Sequence, residues 1–225
     1  MKYLSLPLLL FISCNRTSPE NTLIIPSFSQ EKQLKSYTYS LSKTNPYHAA
    51  LVLCHHSNIL ENSTSLQFDL VSYLRESGCF KKAIHIGTNI MDKKSSLKQK
   101  AKLNFNIGES FAGLNDYDSA KIFFEKSLKS KNYYYYYGYA QTARQAEDFR
   151  TAHEMYRKAF HSTKGKKHFI NQSFAHFLVE EAIKIHKKDP QKAKQNPETV
   201  LNTPKLSINP VKVRAEILYK QWRFN

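Results

Sequence analysis

Apolar residues recur along this chain at intervals of three and four, in short segments separated by polar turns. Leu70 and Leu74, Phe80 and Ala83, Ile107 and Phe111, Ala120 and Phe124, and Ala152 and Tyr156 form successive stripes of this kind. A period near 3.6 predicts amphipathic helices. The stripes are too short to bury a core singly, so the pattern predicts helices packed in pairs. Gly78 in Ser77-Gly78-Cys79, and Asn115 or Asp116 after Gly113, supply the turn and cap residues between them.

Beyond residue 165 a helix over about 168–187 is predicted from Ile170, Phe174, Phe177, Leu178, Ala182 and Ile185. Pro190, Pro197, Pro204 and Pro210 then interrupt a polar stretch, which predicts a linker over 189–210. Val211, Ala215, Leu218 and Trp222 draw one stripe on a terminal amphipathic helix, 211–225, expected to cover the end of the array. The run Tyr133 to Tyr137 is unusual for a helix, because aromatics lose rotamer freedom there. Its place in the pattern predicts a helix packed on two faces.

The small residues that open the second helices, Ala50, Ala83, Ala120 and Ala152, are 33, 37 and 32 residues apart. The segment Ile107-Gly108, Phe111, Ala120, Phe124 and its successor Tyr139, Ala140, Ala143, Ala152, Tyr156 resemble the tetratricopeptide repeat, whose period is about 34 residues. The resemblance covers residues 45–165 and implies an all-α helical-repeat solenoid with a C-terminal capping helix, residues 166–188 adding a packing helix. It also implies a surface for binding rather than a catalytic pocket. In that family the first helices line a groove that holds partner segments. Phe68, Phe105 and Tyr137 fall there, one turn before Ser72, Glu109 and Gln141, with Arg75 and Arg144 following. The expectation is an aromatic stripe bordered by polar groups, in competition with packing of the same rings between helices.

Residues 3–12 are apolar behind Met1-Lys2, about half the length a membrane span needs, and predict a signal peptide over residues 1–13. Phe11-Ile12-Ser13-Cys14 resembles a bacterial lipobox, with Phe11 in place of the usual Leu. That resemblance implies acylation (palmitate among the acyl groups) of Cys14 and anchoring to an envelope membrane, most simply the outer one. The polar residues 14–44 are then expected as a flexible tether about 30 Å in reach.

Charge sharpens the picture. Lys and Arg exceed Asp and Glu by 34 to 18, and after Phe160 by 13 to 5. Lys164, Lys166, Lys167, Lys187, Lys188, Lys192 and Lys194 are candidates for a basic patch that binds anionic lipid or acidic glycans. No His-Glu-x-x-His, Cys-x-x-Cys, Gly-x-Ser-x-Gly or phosphate-loop motif occurs, so no enzyme activity, cofactor or metal is expected. His48, His55 and His56, with Cys54 among them, share no helix face well enough to chelate, and the histidines read as surface groups. A Cys54–Cys79 bridge is left open. The expected function is a membrane-anchored, non-catalytic protein-binding scaffold of the cell envelope. Its alternative is a surface lipoprotein that binds acidic glycans or anionic lipid through the basic C-terminal third. Nucleic acid is not expected as a partner.

Overall fold

The structure, a computed structural model, describes residues 25–223 and is helical, without a strand among them. The expected signal peptide and Cys14 lie outside the described residues. Among the described residues twelve α-helices form two compact units that divide between Ser130 and Lys131.

The first unit contains α1 (Glu31–Ser42), α2 (Pro46–His55), α3 (Ser57–Asn62), α4 (Thr64–Glu76), α5 (Phe80–Asn89), α6 (Leu97–Gly113) and α7 (Tyr117–Ser127). α1 packs on α2, α4 on α5 and α6 on α7, and α4 also contacts α2 and α6. Short connections make each pair an antiparallel hairpin. The core is Leu34, Leu53, Leu66, Leu70, Leu74 and Ile107 with their neighbours, all buried. Gly108 permits the close approach of α6 and α7: a Cβ there would lie 3.2 Å from the Phe124 ring and 3.3 Å from the Ala120 carbonyl oxygen.

The second unit contains α8 (Tyr133–Gln145), α9 (Phe149–Ser162), α10 (His168–His186), α11 (Pro190–Asn202) and α12 (Val211–Arg223). α8 packs on α9, α10 on both α9 and α11, and α12 on α10 and α11. Val211, Ala215 and Trp222 are buried as their stripe predicts. Tyr135 and Tyr139 are buried on one side of α8 while Tyr134 is 45% exposed.

Three hairpins turn in one way. Gly78, Asn115 and Glu147 adopt positive φ of 79°, 62° and 57°, and the next residue's N–H reaches back to close the helix. Cys79 N donates to Leu74 O (2.8 Å), Asp116 N to Phe111 O (3.0 Å) and Asp148 N to Ala143 O (2.9 Å). Asp116 and Asp148 then cap the following helices by accepting from Ser119 N and Thr151 N.

Three expectations need correction. Residues 31–42 of the expected tether are helix α1. Its buried face is Leu34, Thr38 and Ser42, and the Thr38 hydroxyl satisfies itself on Leu34 O at 2.9 Å, so a polar residue takes a core position. Residues 190–202 of the expected linker are helix α11. Pro190 stands in the first turn, where no N–H is required, Asp189 caps Lys192 N at 2.9 Å, and Pro197 is buried within the helix. The third correction lies between α2 and α3, where the helix breaks after His55. His56 there is 7% exposed, with Nδ1 donating to Val52 O at 3.0 Å and Nε2 accepting from Phe28 N at 3.2 Å, so it is a core tie and not a surface group.

Candidate functional site

The first helices of the pairs carry the polar side chains that meet between neighbouring helices. In the first unit Asp69 on α4 receives Lys102 of α6 at 3.0 Å and Lys35 of α1 at 3.8 Å. One turn on, Asn106 Nδ2 donates to Ser72 Oγ at 2.7 Å. A further turn on, Arg75 Nη1 lies 2.7 Å from Glu109 Oε2, and Arg75 also reaches Glu76 at 2.8 Å. Burial pushes the Glu109 carboxyl up, Arg75 opposing the shift and Glu76 adding to it.

Those contacts overturn the expected aromatic stripe. Phe68 and Phe105 are 3% and 2% exposed and belong to the interior, Phe105 packing edge-on against Phe124 at 5.6 Å. Ser72 is buried as well, its hydroxyl donating to Phe68 O at 3.2 Å. Side-by-side partners on α4 and α6 are 33 or 34 residues apart, whereas Phe68 and Phe105 are 37 apart. The longer spacing follows the turns, because α6 has 17 residues and α4 has 13.

In the second unit the corresponding side chains stay nearer to solvent. Tyr137, Gln141 and Arg144 follow one face of α8 at intervals of four and three. Facing them on α10 stand Ser173, His176 and Glu180. The Tyr137 hydroxyl meets Ser173 Oγ at 3.1 Å and accepts a hydrogen bond from Gln141 Nε2. Arg144 sends both Nε (2.6 Å) and Nη2 (2.5 Å) to Glu180 Oε2, and both side chains remain more than a third exposed. Phe169 stacks edge-on against Tyr137 at 5.1 Å and is 43% exposed. Burial and the nearby Arg144 and Arg214 hold the His176 imidazole below its ordinary value. Burial pushes the Tyr156 phenol beneath this face up to about 12, with Arg144 opposing. Half-exposed donors, acceptors and rings are so arranged along two parallel rows.

A second polar cluster has no counterpart in the sequence reading. Glu181, 7% exposed on the other side of α10, accepts at Oε2 from His153 Nδ1 of α9 (2.7 Å) and Asn196 Nδ2 of α11 (2.8 Å). His186 stacks flat on Trp222, centroids 4.1 Å apart. These contacts bind α9, α10, α11 and α12 together and serve the fold. The adjacent Glu180-Glu181 pair was the signal: two acids about 100° apart on one helix need two different partners.

The basic candidates do not form one patch. Lys164, Lys166 and Lys167 occupy the turn before α10, and Lys187, Lys188, Lys192 and Lys194 the turn after it and the start of α11. The nineteen residues of α10 hold the two groups about 28 Å apart. Gln191, Lys194, Gln195, Glu198 and Tyr219 line an open polar depression between α11 and α12.

His48, Cys54 and His55 do not converge: no group of three His, Cys, Asp or Glu able to hold a metal occurs among the described residues. Cys54 carries a free thiol and is not bridged to Cys79; burial pushes it up to about 12, against the opposing charge of Lys82. Among the described residues no helix is long and apolar enough to cross a membrane. No family model, no curated protein and no solved structure matches this chain.

Proposed function

We propose that the protein is a non-catalytic, tetratricopeptide-like scaffold of the bacterial envelope, anchored through an acylated Cys14, and that it holds a partner protein's segment along the α8–α10 face. One observation carries this reading. Tyr137, Gln141 and Arg144 share a face with Ser173 and Glu180, and their polar groups are only partly buried. The hydroxyl–amide pair of Ser72 with Asn106, by contrast, is shut away from solvent. Antiparallel hairpins closed by one recurring turn support the repeat reading. The apolar residues 3–12 followed by Cys14 support the anchor.

A photo-crosslinking residue at position 141, compared with one at exposed Arg157 on α9, tests the face in native membranes. Discrete adducts at 141 that vanish in the Arg144→Ala background are expected. Identical adducts from both positions, or none from 141, would remove the α8–α10 face from consideration.

A further inference from the structure

Lys164, Lys166 and Lys167 are exposed in the α9–α10 turn, and other parts of the second unit meet them. Lys205, from the segment after α11, donates to the Lys164 carbonyl oxygen at 2.5 Å. Lys167 Nζ stands 5.7 Å from the centre of the Tyr133 ring at the start of α8. Phe169, in the first turn of α10, leaves 43% of its surface in water. The stretches that converge here, residues 131–146, 155–179 and 199–215, contain no Asp or Glu. These stretches of the second unit therefore supply no acid to neutralise the positive field at this end. The other lysine group, at the far end of α10, lies several screening lengths away, about 8 Å each at physiological salt, and sits beside Asp189.

From this we propose that Lys164, Lys166, Lys167 and Lys205, with Tyr133 and Phe169, form a contact surface for an anionic phospholipid bilayer. The lysines supply attraction to headgroup phosphates, and each basic side chain near such a surface strengthens binding about fivefold. The rings supply what attraction alone cannot. A phenyl group exposed beside lysines gains by entering the boundary between headgroups and acyl chains, where aromatic and basic residues are enriched. This contact adjoins the α8–α10 face at Phe169, which stacks on Tyr137, and would set which end of the second unit turns toward the membrane.

The test is co-sedimentation of the full-length chain, with Cys14→Ser in every sample so that acylation does not contribute. Vesicles of phosphatidylcholine alone are compared with vesicles containing about one third phosphatidylglycerol. Added binding to the anionic vesicles is expected. Lys164→Gln, Lys166→Gln and Lys167→Gln together should reduce it about a hundredfold, three losses of about fivefold each. Lys187→Gln, Lys188→Gln and Lys192→Gln together should leave most of it, with circular dichroism showing both triple variants folded. Three results would overturn the proposal: no preference of the parent chain for anionic vesicles, equal losses in the two triple variants, or retention on a sulfated polysaccharide without vesicle binding.

Discussion

Arg75 on α4 and Glu109 on α6 form the last of three polar contacts between those helices, Nη1 to Oε2 at 2.7 Å, and the pair is held where the carboxylate is costly. The burial that pushes Glu109 up outweighs the attraction of Arg75. A carboxyl whose folded value is raised holds its proton longer in the folded chain than in the unfolded one. Stability from this group is thus complete below the ordinary value of 4.5 and is lost as pH rises through the higher folded value. Glu109→Gln removes that dependence. Urea unfolding from pH 4 to pH 7 should show the parent losing stability relative to the variant as pH increases. A parent that gains on the variant over that range would mean that the ion pair dominates burial.

Glu147 occupies the left-handed turn position that Gly78 fills in an equivalent hairpin. For a residue with a Cβ that conformation costs about 1 kcal/mol. Its ion pair with Lys184 at 2.9 Å is exposed and offsets little of this. Glu147→Gly is expected to stabilise the protein by about 0.5 kcal/mol, read from the denaturation midpoint at unchanged slope.

Gly108 is the reverse case. Its helical conformation suits any residue, and space is what is missing, with Phe124 and the Ala120 carbonyl already at contact distance. Gly108→Val must push α7 away or displace the buried Phe124 ring. A loss of about 1–3 kcal/mol is expected, against a small effect for Gly113→Ala if the half-buried Phe80 ring swings aside.

Cys54 tests burial through chemistry. With its thiol pushed up to about 12, the thiolate that reacts with iodoacetamide is scarce at neutral pH. Labelling of the Cys54 peptide, followed by mass spectrometry, should be on the order of a thousandfold slower than for an exposed thiol and should recover in denaturant. Rapid labelling of the folded chain would show that α2 opens readily.

The all-helical character was legible because Leu70, Leu74, Phe124, Phe174 and their neighbours repeat at helical spacing and are buried. α1 was not, because Thr38 and Ser42 fill core positions by bonding their hydroxyls to the helix's own carbonyls, an arrangement that reads as polar. α11 was hidden by prolines, one harmless in the first turn and one tolerated inside. The face carrying Tyr137, Gln141 and Arg144 was found from spacing within one helix. The row through Phe68 and Phe105 failed because it required register between helices, which the differing lengths of α4 and α6 conceal. The Glu180-Glu181 pair signals that Glu181 needs a partner of its own, but its partners His153 and Asn196 come from two other helices.

The extra length of α6 has a bearing on how such chains change. Its polar partners to α4 are Lys102, Asn106 and Glu109, and the helix continues to Gly113 before turning. Growth beyond the last partner leaves every earlier side chain aimed as before. A single residue inserted ahead of Lys102 would instead rotate all three away by about 100°. Length can drift at the turn ends of these hairpins while their beginnings stay fixed, so related sequences should be aligned on helix starts, with gaps placed at the turns.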